Sequence, residues 1–263
     1  MRLLKAFLIA LVFVLCADIA AARSRIKPSE YGSVTIRNFS HQAGLAPVRF
    51  DHWLHRSLYT CRLCHVDIGF AMEANATRIT ADANMKGFYC GSCHNGTRLH
   101  DKKIIFASCS VNATPEERMR CSRCHSVGKN VQKEYKYAPF AEKLPKGGME
   151  DLIDWEKAEA RGLIHPVDFL LGVSMQRQPL NAQKDFSITS RNTWMPDIIF
   201  SHKKHVMWNG CEVCHPDIFP SVKKGVVKYS MLDIANGLYC GLCHNRVAFP
   251  LNECDKCHAN PVQ

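Results

Sequence analysis

The chain has 263 residues, 46% of them hydrophobic and 22% charged, so it is long enough for one large domain or two small ones and too apolar for global disorder. Its formal net charge of +10 at pH 7 taken alone favours anionic partners, but no aromatic-basic nucleic-acid motif is present. The unusual counts are 14 Cys and 13 His, most of which fall in the same short segments.

Taken from the N-terminus, residues 1–22 read as a signal peptide. Arg2 and Lys5 form a basic n-region, an apolar stretch runs from Ala6 to Ala17, and Ala20-Ala21-Ala22 offers a small-residue cleavage site before Arg23. The apolar stretch is too short to span a bilayer, and no later run approaches the roughly 18 apolar residues a spanning helix needs. Cys16 follows Leu15, where lipoprotein processing wants a small residue, so it is expected to be removed with the signal. The expected location is periplasmic, with an extracellular or outer-membrane-associated position left open.

After an N-terminal extension (23–44), six copies of C-x-x-C-H follow. They are CRLCH at 61–65, CGSCH at 90–94, CSRCH at 121–125, CEVCH at 211–215, CGLCH at 240–244 and CDKCH at 254–258. This spacing is the signature of c-type haem attachment. Two thiols reach the two vinyl groups on one porphyrin edge, and the next residue, His, turns under the ring to bind iron. The thioether cysteines are then Cys61, Cys64, Cys90, Cys93, Cys121, Cys124, Cys211, Cys214, Cys240, Cys243, Cys254 and Cys257. The proximal ligands are His65, His94, His125, His215, His244 and His258, and the cofactor count is six covalently bound haems c. Thioredoxin-like dithiols, zinc sites and a disulfide scaffold leave the repeated His at the next position unexplained.

A shift of 150 residues superposes Phe50, His52, His55, Cys61 and Gly87 on Phe200, His202, His205, Cys211 and Gly237. The third motif breaks register, 121 against 254, which places a 17-residue insertion between Asn95 and Cys121. The organisation is therefore a first three-haem module at 45–127, a connector at 128–194 and a second module at 195–263. The connector is expected to be structured and to pack on one module. Asp151 to Arg161 has apolar residues at helical spacing (Leu152, Trp155, Ala158), ended by Gly162. Gly, Pro, Asn and Lys interrupt almost every apolar run, so the fold is expected to be mostly irregular, with short α-helical turns after each motif and haem as most of the core.

An F-x-H-x-x-H pattern precedes each module, FDHWLH at 50–55 and FSHKKH at 200–205. Two His three residues apart share one helical face and can serve two haems, with the Phe beside them. With the following C-x-x-C-H and the segments GFYCGSCHNG (87–96) and MLDIANGLYCGLCHNRVAF (231–249), the sequence resembles the triheme cytochrome c7 family and larger cytochromes built of c7-type modules. The resemblance covers both modules and not the connector. It implies distal pairing of His52 with His65, His55 with His94, His202 with His215 and His205 with His244. It also places Met231 as sixth ligand opposite His258, with His165 as rival. In the first module Ala81 stands where Met231 does in the second, so His100 is the candidate opposite His125, with Met85 and His41 as alternatives.

Six-coordinate iron has no open position for substrate, which makes the expected function electron transfer in a respiratory or extracellular chain rather than catalysis. Redox proteins, a membrane quinone-oxidising complex or other cytochromes are the expected partners. The alternatives are a multihaem reductase with one open haem, and a subunit of a cytochrome filament or quinone-oxidising complex. Loss of 1–22 leaves a charge of +9, which up to 12 propionates would offset, so nucleic acid is rejected as a partner. Lys203, Lys204, Lys223 and Lys224 are candidates for steering partners. Cys109 is left over, as a buried thiol or a link to another chain.

Overall fold

The computed structural model describes residues 26–110, 114–148, 150–178 and 184–259, so the expected signal peptide and Cys16 lie outside the described residues. Regular elements are short because the sequence breaks every apolar run. Strands β1 (Ser33–Ile36) and β2 (Val48–Asp51) form an antiparallel ribbon that leads straight into helix α1 (His52–Arg56). Helix α2 (Ala81–Met85), the hairpin of β3 (Leu99–His100) and β4 (Lys103–Ile104), and helix α3 (Pro115–Cys124) complete the first half. Helices α4 (Tyr137–Ala141) and α5 (Trp155–Ala160) belong to the connector. A second ribbon, β5 (Phe186–Ile188) with β6 (Ile198–Phe200), leads into α6 (His202–Asn209), and α7 (Met231–Ala235) follows.

The ribbon-then-helix unit is thus duplicated, and it reaches further upstream than the sequence bounds of the modules. A lone strand would leave its N–H and C=O groups unpaired. β2 therefore recruits β1 from the N-terminal extension, and β6 recruits β5 from the end of the connector. Phe50 sits opposite Val34, and Phe200 opposite Phe186.

The connector holds the apolar core. Ala141, Leu144, Ile153, Trp155, Ala158 and Ile164 pack around Trp53 of α1, with Phe140 4.9 Å and Tyr137 5.4 Å from the Trp53 ring. Helix α5 begins at Trp155, later than the apolar spacing suggests, because Asp154 accepts a hydrogen bond from Lys157 N (3.0 Å) as N-cap. Ile153 is drawn into the core, and Leu152 lies outside the helix at φ 56°. Gly162 ends the helix at φ 66°, with Leu163 N bonded to Ala158 O at 2.9 Å.

The connector reaches both modules rather than one. Arg62 within the first haem motif pairs with Asp168, and its Nε donates to Asp168 Oδ1 at 3.1 Å. Arg177 pairs with Asp67 (2.8 Å) beside the first motif and donates to Glu212 (2.5 Å) inside the fourth. On the upstream side, Tyr31 donates to Ala248 O of the second module.

Two glycines record a close approach repeated in both halves. A Cβ on Gly91 would lie 1.9 Å from Asn84 O, and one on Gly241 would lie 1.9 Å from Ile234 O. The motif turns of CGSCH and CGLCH therefore press against the backbone of α2 and α7, whose first turns are capped by Thr80 and Ser230. Gly241→Ala is expected to cost about 1–3 kcal/mol of stability, with Gly91→Ala similar. Denaturant unfolding of the haem-loaded protein measures it.

Candidate haem attachment and ligation site

Five of the six C-x-x-C-H segments close one helical turn at their His, and the first runs into a short π-helix, Leu63–Asp67. The His N–H bonds to the carbonyl of the first Cys at 2.8 Å in 90–94, 121–125 and 254–258, at 2.9 Å in 211–215 and at 3.0 Å in 240–244. In such a turn residues three apart share a face, so both thiols point the same way and the His follows directly. The helical turn contains the motif instead of following it, because the cysteine spacing is itself a turn.

Thirteen cysteines are described, all as free thiols. Burial pushes Cys64, Cys90 and Cys243 up to about 12, and Cys124 and Cys240 up to about 11. Among the described residues no three of His, Cys, Asp and Glu converge as a metal cage. Cys109 lies beside Cys90 and Cys124, with Asn84 Nδ2 3.9 Å from its sulfur.

Nine of the ten histidines of the C-x-x-C-H and F-x-H-x-x-H motifs are pinned through Nδ1, and His94 Nδ1 is buried without a partner. Ring nitrogen Nδ1 faces a backbone carbonyl in His65 (Phe70, 2.8 Å), His215 (Phe219, 2.6 Å) and His244 (Phe249, 3.1 Å). The same holds for His55 (Asp51, 3.3 Å) and His205 (Ser201, 2.8 Å) on their own helices. A carbonyl accepts only from N–H, so Nδ1 carries the proton and the lone pair sits on Nε2, the tautomer a metal ligand needs. The remaining partners come from the ribbons. His52 bonds Gly32 O (2.6 Å) and His202 bonds Lys184 O (3.1 Å). His125 bonds Ala46 O (2.8 Å) and His258 bonds Pro196 O (2.7 Å). Ala46 and Pro196 are 150 residues apart, so the third motif is held by the repeat even where its own register breaks.

Three of the four expected imidazole pairs face each other. Ring centroids are 6.4 Å apart for His52 and His65, with planes at 5°, 6.4 Å for His55 and His94, and 6.2 Å for His205 and His244. With metal–imidazole bonds of about 2 Å and about 1.1 Å from each nitrogen to its ring centre, two imidazoles sharing one iron stand about 6.2 Å apart. The residues present therefore fit a bis-imidazole haem. The phenylalanines repeat too: Phe50 lies 4.4 Å from His55 and Phe200 lies 4.4 Å from His205.

The other candidates are placed differently. His202 is not in ring contact with His215 and packs on Phe186 (5.0 Å) and Phe200 (4.9 Å). His100 lies on the β3–β4 hairpin, 3.5 Å from Asp101 and with Tyr59 at 6.1 Å. Met231 opens α7 and is 53% exposed, while Ala81 takes its place at the start of α2. Met85 ends α2, and His41 lies in a one-turn 3-10 helix, His41–Ala43. His165 is exposed beside Gly162. The orienting carbonyls carry no side-chain signal; only the 150-residue offset of Ala46 and Pro196 could have pointed to them.

Attachment cysteines of different motifs lie near one another. Cys124 neighbours Cys90, Cys93 neighbours Cys64, and Cys61 neighbours both Cys214 and Cys243. Cys240 then neighbours Cys257.

Burial holds His52 and His55 at about 4, below the ordinary 6.5, and pushes His65, His94, His205 and His244 down as well. An imidazole must be deprotonated to bind iron, so acid competes for these rings. Unfolding free energy is expected to rise with pH through the acid range, as denaturant titrations at stepped pH would show.

Among solved structures, the chain is similar to the C-terminal hexaheme fragment of GSU1996, at 24% identity over 86% of this chain and 96% of that one, with a TM-score of 0.25. The N-terminal hexaheme fragment of GSU1996 matches at 21% identity over 87% of this chain and 98% of that one, TM-score 0.25. No curated protein sequence matches significantly. Residues 48–126 and 198–259, over half of the chain, match the family described as cytochrome c7 and related cytochrome c, and both stretches carry the motif turns and pinned imidazoles. The chain belongs to the cytochrome c7 and related cytochrome c family, multihaem electron-transfer proteins that bind haem c covalently.

Proposed function

We propose that the chain is an exported hexahaem cytochrome that passes electrons through six covalently attached haems c. The observation that carries this reading is the set of three facing imidazole pairs at 6.2–6.4 Å, each beside a C-x-x-C-H motif. When bound, haem c supplies a one-electron carrier that alternates between ferric and ferrous iron. The chain supplies everything else. Cysteine pairs would hold each haem by thioether bonds, and His65, His94, His125, His215, His244 and His258 would each ligate one iron. His52, His55, His202 and His205 would supply the second ligand in four, with His100 and Met231 proposed for the remaining two.

The order of the cysteine pairs makes the first motif the junction between modules and the third and sixth the two ends. Redox proteins, among them other cytochromes or a membrane quinone-oxidising complex, are the proposed partners. Export rests on the signal pattern of 1–22, and no helix among the described residues is long and apolar enough to cross a membrane.

The second reading, a reductase, has one observation in its favour. His100, the candidate opposite His125, is engaged with Asp101 and Tyr59, which leaves that iron as the place for a substrate.

The mature protein is expected to weigh six haems more than residues 23–263 and to be fully low-spin when ferric. His55→Ala is expected to turn about one haem in six high-spin while the others stay low-spin, read by electron paramagnetic resonance. An unchanged spectrum in that variant would remove His55 from the ligand set. A high-spin haem in the unaltered protein would favour the reductase.

A further inference from the structure

Arg56 occupies the junction between the two modules with its charge unpaired. It ends α1, one residue after His55, and its guanidinium lies between two tryptophan faces, 4.5 Å from the Trp155 ring and 4.2 Å from the Trp208 ring. Nη1 donates to Val247 O at 2.9 Å, while Nε is sealed from solvent without a partner. Among the described residues it forms no ion pair. The nearest carboxylate whose charge it feels, Asp151, already accepts from Trp155 Nε1 (2.7 Å) and Ile153 N (3.2 Å). Cation–π contact holds the charge in place without cancelling it.

This charge stands beside Cys61 and Cys243, the attachment cysteines of the first and fifth motifs. Arg56, Tyr59, Thr60, Cys61, Pro166 and Trp208 line one pocket at that place. The cysteines bond the vinyl edge of a porphyrin, and the propionates lie on the opposite edge. A cation beside Cys61 is therefore not neutralised by the carboxylates of the haem it adjoins. In a low-dielectric setting a positive charge favours the iron state with one positive charge fewer.

We propose that Arg56 sets the potential of the module junction, holding the haems at Cys61/Cys64 and Cys240/Cys243 easier to reduce than their ligands alone would make them. The reading is specific to this chain's first module, because Val206 occupies the position 150 residues on. A guanidinium remains protonated throughout the neutral range. Arg56 is a positioning residue for charge and touches no reacting iron.

The inference rests on the haem reading above, and the two fail differently. A colourless mature protein defeats both, whereas a haem-loaded protein with unmoved potentials defeats only this one. The test is spectroelectrochemical titration of the full haem-loaded chain. Arg56→Gln keeps a planar donor for Val247 O and removes the charge. It is expected to lower the reduction equilibrium constant of at least one haem tenfold or more, a negative midpoint shift of about 59 mV or more. Arg56→Lys keeps the charge and loses the stacking, so its midpoints are expected within about threefold of the parent while its thermal stability falls. Loss of stability in both variants with unmoved midpoints would reduce Arg56 to a structural clamp and overturn the proposal. Should Arg56→Gln not mature, Arg56→Lys decides alone: midpoints displaced tenfold with the charge retained would equally overturn it.

Discussion

The structure depends on one small interaction made many times, an imidazole Nδ1–H held by a backbone carbonyl. That hydrogen bond fixes the tautomer, stops rotation about the ring's last torsion and leaves Nε2 as a directed lone pair. Burial then keeps the ring neutral, which is what pushes His52 and His55 so far down. A carbonyl is useful here only if its backbone is rigid, and this accounts for the otherwise slight regular structure. The ribbons place Gly32, Ala46, Lys184 and Pro196 where the rings need them, and α1 and α6 supply Asp51 and Ser201 to their own second histidines.

The two modules are alike on the ligand side and unlike on the other. In α1 the residues that follow His52 and His55 are Trp53 and Arg56; in α6 the matching positions are Lys203 and Val206. Trp53 is buried in the connector core, whereas Lys203 is exposed. A duplicated ligand scaffold was thus given one sticky helix, and the connector folds onto it. The variable positions inside the motifs behave in the same way. Arg62 in the first and Glu212 in the fourth do nothing for haem attachment, and both are tied to the connector through Asp168 and Arg177.

Much of this was legible in the sequence because it is written in side chains. The C-x-x-C-H copies, the F-x-H-x-x-H pairs, the 150-residue offset and the helix ended by Gly162 all rest on residue type and spacing. Strands β1 and β5 were not legible. Ser33–Ile36 and Phe186–Ile188 are too short for a two-residue period to stand out, and they exist to satisfy the backbones of β2 and β6. The true start of α5 was hidden because Leu152 keeps helical spacing while Asp154 caps the helix after it. The carbonyl partners were invisible in principle, since any residue offers one. Arg56 carries no signal in the sequence; only Trp155 and Trp208, 99 and 152 residues away in the chain, set it apart.

The position of the apolar core follows from what electron transfer asks of a polypeptide. Within a module, thioether bonds and iron–imidazole bonds fix the haem positions, so side-chain packing has little left to specify. Between modules no such covalent tie exists, yet the distance there must be as well defined as anywhere else for electrons to cross. The packed core of Trp53, Ile153, Trp155 and Ala158, the stacked Arg56 and the Arg62–Asp168 and Arg177 ion pairs all gather at that one boundary. Ordinary protein packing is concentrated where haem chemistry cannot hold the molecule together, so the connector does the work of a fixed spacer.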